Sequence, residues 1–137
     1  MKFSKKTQYG LRAMVYLSRA YKDKKRFCSL KEISEKEDIS FSYLEKILLT
    51  LEKKKLIQSK KGPTGGYRLN HPLKKITIGD IVRYLEGSSI DDCIFRGEKC
   101  SKIKTCEAFS VWRNVQKSLD ETLNSITLFS LINKNEK

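Results

Sequence analysis

Between residues 4 and 22, Tyr9, Ala13, Tyr16, Leu17 and Ala20 recur at intervals of three and four, the period of one face of an α-helix. The polar run Lys22 to Arg26 breaks that period and predicts a charged turn. Ser29-Leu30-Lys31-Glu32 then spells a capping box, in which a serine and a glutamate three residues on cap a helix start reciprocally. It predicts a short helix, with Leu30, Ile33 and Ile39 turned inward and the polar stretch Ser34 to Ser40 as a tight turn. A second box, Ser42-Tyr43-Leu44-Glu45, predicts a longer helix to about Lys54 with Leu44, Ile47, Leu48 and Leu51 inward.

Helix, short turn, helix is the pattern of a helix-turn-helix. Leu56 to Lys60 alternates as a short strand, and Tyr67 and Leu69 begin a return strand. Between them, Lys60-Lys61-Gly62-Pro63-Thr64-Gly65-Gly66 predicts a tight, basic loop. A hairpin of this kind directly after a helix-turn-helix is a wing. Thr77-Ile78-Gly79-Asp80 opens another helix to about Glu86, and Gly87 to Ile103 has no clean period and reads as a loop. From about Lys104 to Asn124 a long helix is expected, with Phe109, Trp112, Val115 or Gln116, Leu119, Leu123 and Ile126 on one stripe. That stripe suits packing on its own domain, and it equally suits pairing with a second chain. Thr127 to Asn133 adds one more turn. The expected fold is mainly α with a small β-hairpin wing: residues 1–75 a winged helix-turn-helix, residues 76–137 a cysteine-containing loop and a dimerisation helix.

Charge sharpens this division. The net charge of +13 lies wholly in the first part: residues 1–75 carry 20 Lys and Arg against 7 Asp and Glu, while residues 76–137 carry 9 of each. Such asymmetry points to nucleic acid or an acidic membrane surface as partner of the first part, against the plainer reading of a soluble lysine-rich surface. No apolar run approaches the ~18–20 residues of a spanning helix. The basic start Met1 to Lys6 is followed by an apolar stretch that Arg12 interrupts, without a small-residue cleavage site. We therefore expect no secretory signal, no membrane partner and a cytoplasmic location.

In a helix-turn-helix the second helix enters the major groove and its N-terminal residues meet base edges. Those residues are Ser40, Phe41, Ser42, Tyr43, Glu45 and Lys46. A serine can donate or accept, and Glu45 can accept from cytosine N4. Ser42 and Glu45 also have the simpler role of capping the helix, and the two roles are compatible because a capped N-terminus attracts phosphate. Lys60, Lys61, Gly62, Thr64 and Gly65 place charge and close-approaching backbone in the wing. Lys53, Lys54 and Lys55 sit where cations complement a helix C-terminus.

The cysteines carry the other candidate chemistry. Cys93, Cys100 and Cys106 fall within fourteen residues, spaced more widely than a zinc knuckle and one thiolate short of four ligands. Clustered thiols in a cytosolic chain point to metal or redox chemistry rather than disulfides. Asp91, Asp92, Glu98 and Glu107 are the nearby candidates for a fourth ligand. His71, the only histidine, precedes Pro72 in a polar turn and reads as a surface residue. Cys28, between Phe27 and a helix cap, reads as a buried thiol. Nothing orients His71 for a Ser/His/Asp site, and no phosphate-binding glycine loop is present, so neither an enzyme nor a small-molecule substrate is expected.

Several of these motifs together resemble the Rrf2 family of bacterial winged helix-turn-helix regulators. They are the opening helix with Tyr9, Ile39-Ser40-Phe41-Ser42-Tyr43-Leu44-Glu45, Gly62-Pro63-Thr64-Gly65-Gly66-Tyr67, the three cysteines, Val111-Trp112-Arg113 and Ser125-Ile126-Thr127-Leu128. The resemblance implies a cytoplasmic homodimer on palindromic operators, paired through the long helix, with Tyr9 added to the DNA-contacting set. It also implies that Cys93, Cys100 and Cys106 hold a 2Fe-2S or 4Fe-4S cluster whose state alters DNA binding, as in a cluster-sensing repressor. Two positions depart from the family. Phe109 stands where cluster-binding members carry a histidine ligand, and Gln8 where nitric-oxide-sensing members carry a carboxylate. A cluster-free regulator, with the cysteines as a thiol switch or zinc site, is the alternative.

Overall fold

The computed structural model describes residues 3–86 and 104–134. In chain order the elements are α1 (Lys5–Lys22), α2 (Leu30–Glu37), α3 (Phe41–Lys53), β1 (Ile57–Lys60), β2 (Gly66–Leu69), a short 3-10 turn (Leu73–Lys75), α4 (Ile78–Glu86), α5 (Glu107–Asn124) and α6 (Leu128–Lys134). The fold is mainly helical with one antiparallel hairpin, as the pattern predicts.

Helix α1 starts at Ser4, whose hydroxyl accepts from the Thr7 amide at 3.2 Å. The buried Glu86 carboxylate accepts from the Ser4 amide at 2.7 Å and from its hydroxyl at 3.0 Å, tying the start of α1 to the end of α4. Gly10 lets these two helices cross closely, since a Cβ there would stand 2.2 Å from Leu85 Cδ1.

The first capping box is only half formed. Ser29 accepts from the Glu32 amide at 3.0 Å, but the Glu32 carboxylate turns to Arg26 at 2.9 Å and the Tyr16 hydroxyl at 2.5 Å. Two expectations need correction here. Residues Ser34 to Glu37 are helical, and only Asp38 to Ser40 form the turn. Asp38 adopts a left-handed conformation at φ 53°, and Ser34 closes the turn by donating to the Ile39 carbonyl at 2.5 Å. Helix α3 is capped by Ser40, not Ser42: the Ser40 hydroxyl accepts from the Tyr43 amide at 3.3 Å. Ile39, 3% exposed, is committed to the core, so the next residue becomes the cap and the helix begins two positions earlier than its second box implies.

The core joins Ala13, Met14, Leu17, Ile33, Leu44, Ile47, Leu48, Leu51, Ile57, Leu69 and Ile81, with the inward stripe of α3 wholly buried. Thr77 and Asp80 cap α4 reciprocally, at 3.1 and 3.0 Å. Beyond α5 the chain returns to this core rather than adding a single turn. The Ile78 amide donates to the Ile126 carbonyl at 2.8 Å and the Leu128 amide to the Ile76 carbonyl at 2.9 Å, and Leu128 and Ile132 are buried beside the residues of α1 and α4. Residues on both sides of position 75 therefore share one core.

Candidate nucleic-acid interface and cysteine site

The hairpin pairs Ile57 with Leu69 through to Lys60 with Gly66. A third short segment completes it: the Cys28 amide donates to the Tyr67 carbonyl at 2.8 Å, and the Tyr67 amide to the Cys28 carbonyl at 2.7 Å. Phe27, next to this bridge, lies under the Arg68 guanidinium at 4.3 Å and near the Lys60 ammonium at 5.6 Å. The Ser59 hydroxyl donates to Glu52 at 2.7 Å, and Asn70 Nδ2 to the Lys55 carbonyl at 3.1 Å. The wing is thus fastened to the approach to α2 on one side and to α3 on the other.

The wing glycines have distinct roles. A Cβ on Gly65 would meet the Lys60 carbonyl oxygen at 2.0 Å, and one on Gly66 the Cys28 carbonyl oxygen at 2.2 Å, so both serve close packing inside the hairpin. Gly62, at φ 104°, faces open space and is the glycine whose backbone an outside group can approach. Lys61 and Thr64 are exposed at the same tip.

At the start of α3, Ser40, Phe41, Ser42, Glu45 and Lys46 are exposed and Tyr43 is half-buried. Because Ser40 is the cap, Ser42 and Glu45 are released from the capping role their spacing suggests. Tyr43 meets Tyr9 of α1 edge-to-face, with ring centroids 5.8 Å apart, and the Arg12 guanidinium stands 5.6 Å from the Tyr9 ring. Arg12 also donates to the Glu37 carbonyl and pairs with the Glu37 carboxylate, holding α1 to the end of α2. The side chains of Lys46, Lys53 and Lys61 have no hydrogen-bond or ion-pair partner among the described residues. The structure thus brings Tyr9 and Tyr43 together beside the outward face of α3, with the wing attached to its far end.

At the entry to α2 lies a polar cluster in which Arg26 is exposed and Glu32 and Tyr16 are half-buried. Arg26 holds the Glu32 carboxyl below the usual carboxylate range, and Glu32 in turn strengthens the charge on Arg26. Burial, then Glu32, raises Tyr16. Burial first, then the Glu32 charge, pushes the Cys28 thiol up to about 11, so this fully buried side chain stays a neutral thiol. Tyr67 is raised by burial and by the charges of Glu52 and Glu45.

Of the three clustered cysteines, Cys93 and Cys100 lie outside the described residues. Cys106 is exposed at the N-cap position of α5, with Glu107 exposed beside it and Phe109 half-buried one turn on. Gln8 donates to the Phe3 carbonyl at 3.0 Å. Among the described residues no group of three or more His, Cys, Asp or Glu is placed to hold a metal ion. The described part of the site therefore supplies one cysteine sulfur, and its phenylalanine has no donor atom.

Helix α5 contains no buried residue. Val111, Trp112 and Val115 are 55%, 40% and 40% exposed, while Leu123 and Ile126 pack against the chain's own core. Phe109, Gln116 and Leu119 are half-buried. Val111 belongs to this apolar stripe, at i and i+4 with Val115, although the expected set omits it. Leu49 of α3, 49% exposed, is also absent from the expected interface. The apolar-inward rule placed Leu44, Leu48 and Leu51 correctly and left Leu49 unassigned, because it looks for burial and not for apolar side chains left outside.

A capped helix laid across a second, with a basic hairpin at its end, defines a winged helix-turn-helix DNA-binding protein. Residues 3–134 match the family model described as Rrf2, iron-dependent transcriptional regulator. The chain belongs to that family and is a DNA-binding transcription regulator rather than an enzyme. It is 36% identical over 138 residues to the HTH-type transcriptional regulator IscR of Vibrio vulnificus, covering 99% of this chain and 80% of the relative. Among solved structures it is similar to IscR of T. potens, with a TM-score of 0.81 at 36% identity, covering 99% of this chain and 89% of that one. It is also similar to CymR of B. subtilis, a global cysteine regulator, with a TM-score of 0.76 at 32% identity and coverage of 96% and 95%. No described helix is long and apolar enough to cross a membrane.

Proposed function

We propose that the chain binds a palindromic operator in double-stranded DNA as a cytoplasmic homodimer, residues 1–75 meeting the DNA and residues 76–137 carrying dimerisation and sensing. The observation that carries this reading is the outward face of α3, exposed among the described residues and bordered by a basic wing. Ser42, Glu45 and Lys46 meet base edges. Ser40, Tyr43 and Tyr9 sit at the helix N-terminus, where backbone amides and the helix dipole favour phosphate. Lys60, Lys61, Gly62 and Thr64 bring the wing to the backbone or the minor groove, with Gly65 holding the tight hairpin behind them. Two recognition helices reading successive half-sites stand ~34–36 Å apart, a spacing that pairing through α5 would set. Substituting Lys61→Ala should weaken binding on all sequences alike and lower the salt slope of log K by about one unit, the signature of one lost phosphate contact. Titration at several salt concentrations measures it, and an unchanged slope removes Lys61 from the interface.

We further propose that Cys93, Cys100 and Cys106 hold an iron–sulfur cluster, 2Fe-2S or 4Fe-4S. Three soft thiolates and membership of an iron-dependent family support it. When bound, the cluster supplies a redox-sensitive cross-link at the start of α5. Cys106 is the N-cap of that helix. The other end is held to the core where the Arg83 guanidinium donates to Asn124 at 2.9 Å and Thr77 bridges Thr127. A shift at Cys106 is therefore carried along a rigid helix to the base of α4, biasing which arrangement of the paired DNA-binding units is populated. With Phe109 and Gln8 at the relatives' ligand positions, Glu107, a partner-chain residue or an exogenous ligand is left to complete the set. Protein purified without oxygen should be coloured and carry iron and acid-labile sulfide, and Cys106→Ala should lose both. A colourless, iron-free protein that still binds its operator would reassign the cysteines to a thiol switch or a zinc site.

A further inference from the structure

The exposed leucine in the middle of the recognition helix lies outside the core. Helix α3 buries Leu44, Ile47, Leu48 and Leu51, each at 0% exposure. Its opposite line runs through Ser42, Leu49 and Lys53, at i, i+7 and i+11, with Glu45 and Lys46 alongside. Leu49 is 49% exposed on that line, though it neighbours four exposed polar side chains. Single surface hydrophobics are ordinary. This one stands at the centre of the face that the wing and the α3 N-terminus direct outward, where every neighbour suits a polar ligand.

We propose that Leu49 is a specificity-determining residue that packs on the 5-methyl group of a thymine in the major groove. The inference rests on the DNA-binding reading above and deepens it. In the major groove only the thymine methyl offers an apolar surface, and the other exposed edges are hydrogen-bond donors and acceptors, which a leucine cannot serve. Lys46 and Lys53, whose side chains have no partner among the described residues, flank Leu49; Lys46 reaches a base edge and Lys53 supplies a phosphate contact that seats the helix. At the helical rise, Leu49 lies roughly 10 Å along α3 from Ser42.

The experiment uses the full-length protein and a duplex library with a random core. The duplex enriched by the wild type is resynthesised with deoxyuridine in place of thymidine, one symmetry-related pair of positions at a time, which removes the methyl groups and nothing else. One pair should cost the wild type roughly tenfold in affinity, the worth of two buried methyl groups. Leu49→Ala should bind the thymidine duplex roughly tenfold more weakly and be indifferent to that same deoxyuridine pair. Its circular dichroism should match the wild type, since the side chain is outside the core. Deoxyuridine without effect at every position overturns the proposal, and so does an equal loss for the wild type and Leu49→Ala. A wild-type selection that enriches no sequence overturns the DNA-binding reading itself, which the first two results leave standing.

Discussion

Replacing Trp112 with glutamate is expected to make the protein monomeric and to weaken operator binding by about a hundredfold or more. Helix α5 leaves Val111, Trp112 and Val115 uncovered, an apolar stripe on a helix with no buried residue. The proposed occupant is the same helix of a second copy. A tryptophan at the middle of such a contact typically carries ~2–4 kcal/mol of the association energy. A carboxylate in its place is buried without a partner, which costs several kcal/mol more. Each monomer then meets only one half-site, and the gain from simultaneous engagement, about 10²–10⁴, is lost. Sedimentation gives the oligomeric state and titration with the selected duplex gives the affinity. The side chain is 40% exposed within the chain, so the variant should fold normally. A variant that stays dimeric with full affinity would remove α5 as the pairing element.

The second large effect is expected at Gly66. Its backbone sits at φ 136°, a region L side chains rarely adopt, and a Cβ would stand 2.2 Å from the Cys28 carbonyl oxygen. That carbonyl accepts the Tyr67 amide at 2.7 Å, so Gly66→Ala both strains the chain and forces apart the bridge fastening the wing. Backbone strain of about 1–3 kcal/mol and two weakened hydrogen bonds of about 1 kcal/mol each give a loss of about 3–5 kcal/mol. For a domain of this size that lowers Tm by about 10–20 °C. Calorimetry checks it, with Gly62→Ala as the control. Gly62 has positive φ but open space around it, so its cost should be about 1–2 kcal/mol. Equal losses at the two positions would mean that the close approach to Cys28 contributes nothing.

Both effects depend on information of different kinds. The apolar stripe of α5 is legible in the sequence, because side chains at helical spacing share a face whatever the helix packs on. What the period leaves open is which members of the stripe the chain covers for itself. Leu123 and Ile126 turn out to pack on the core, because the segment after α5 bridges back to Thr77. The role of Gly66 is not legible at all. A glycine-rich loop reads the same whether it faces a phosphate or, as here, the carbonyl of a residue nearly forty positions earlier.

The start of the recognition helix shows the same limit. Ser42 and Glu45 have the spacing of a capping box, and so do Ser29 and Glu32. In the folded chain Ser40 caps α3, and Glu32 gives its carboxylate to Arg26 and Tyr16. Local spelling records which pairings are possible within four residues. Long-range demands, such as the burial of Ile39 and the charge of Arg26, select among them.

The sequence by itself determined the order of the helices, the wing, the division of charge and the clustering of the cysteines. These follow from periodicity, composition and spacing, which act over a few residues and survive any packing. Only the tertiary structure decided which serine caps α3, which glycine is free, that the C-terminal helix closes the core and that Leu49 is left outside. Each of those depends on contacts between segments far apart in the chain, where burial energy and steric exclusion outweigh local preference.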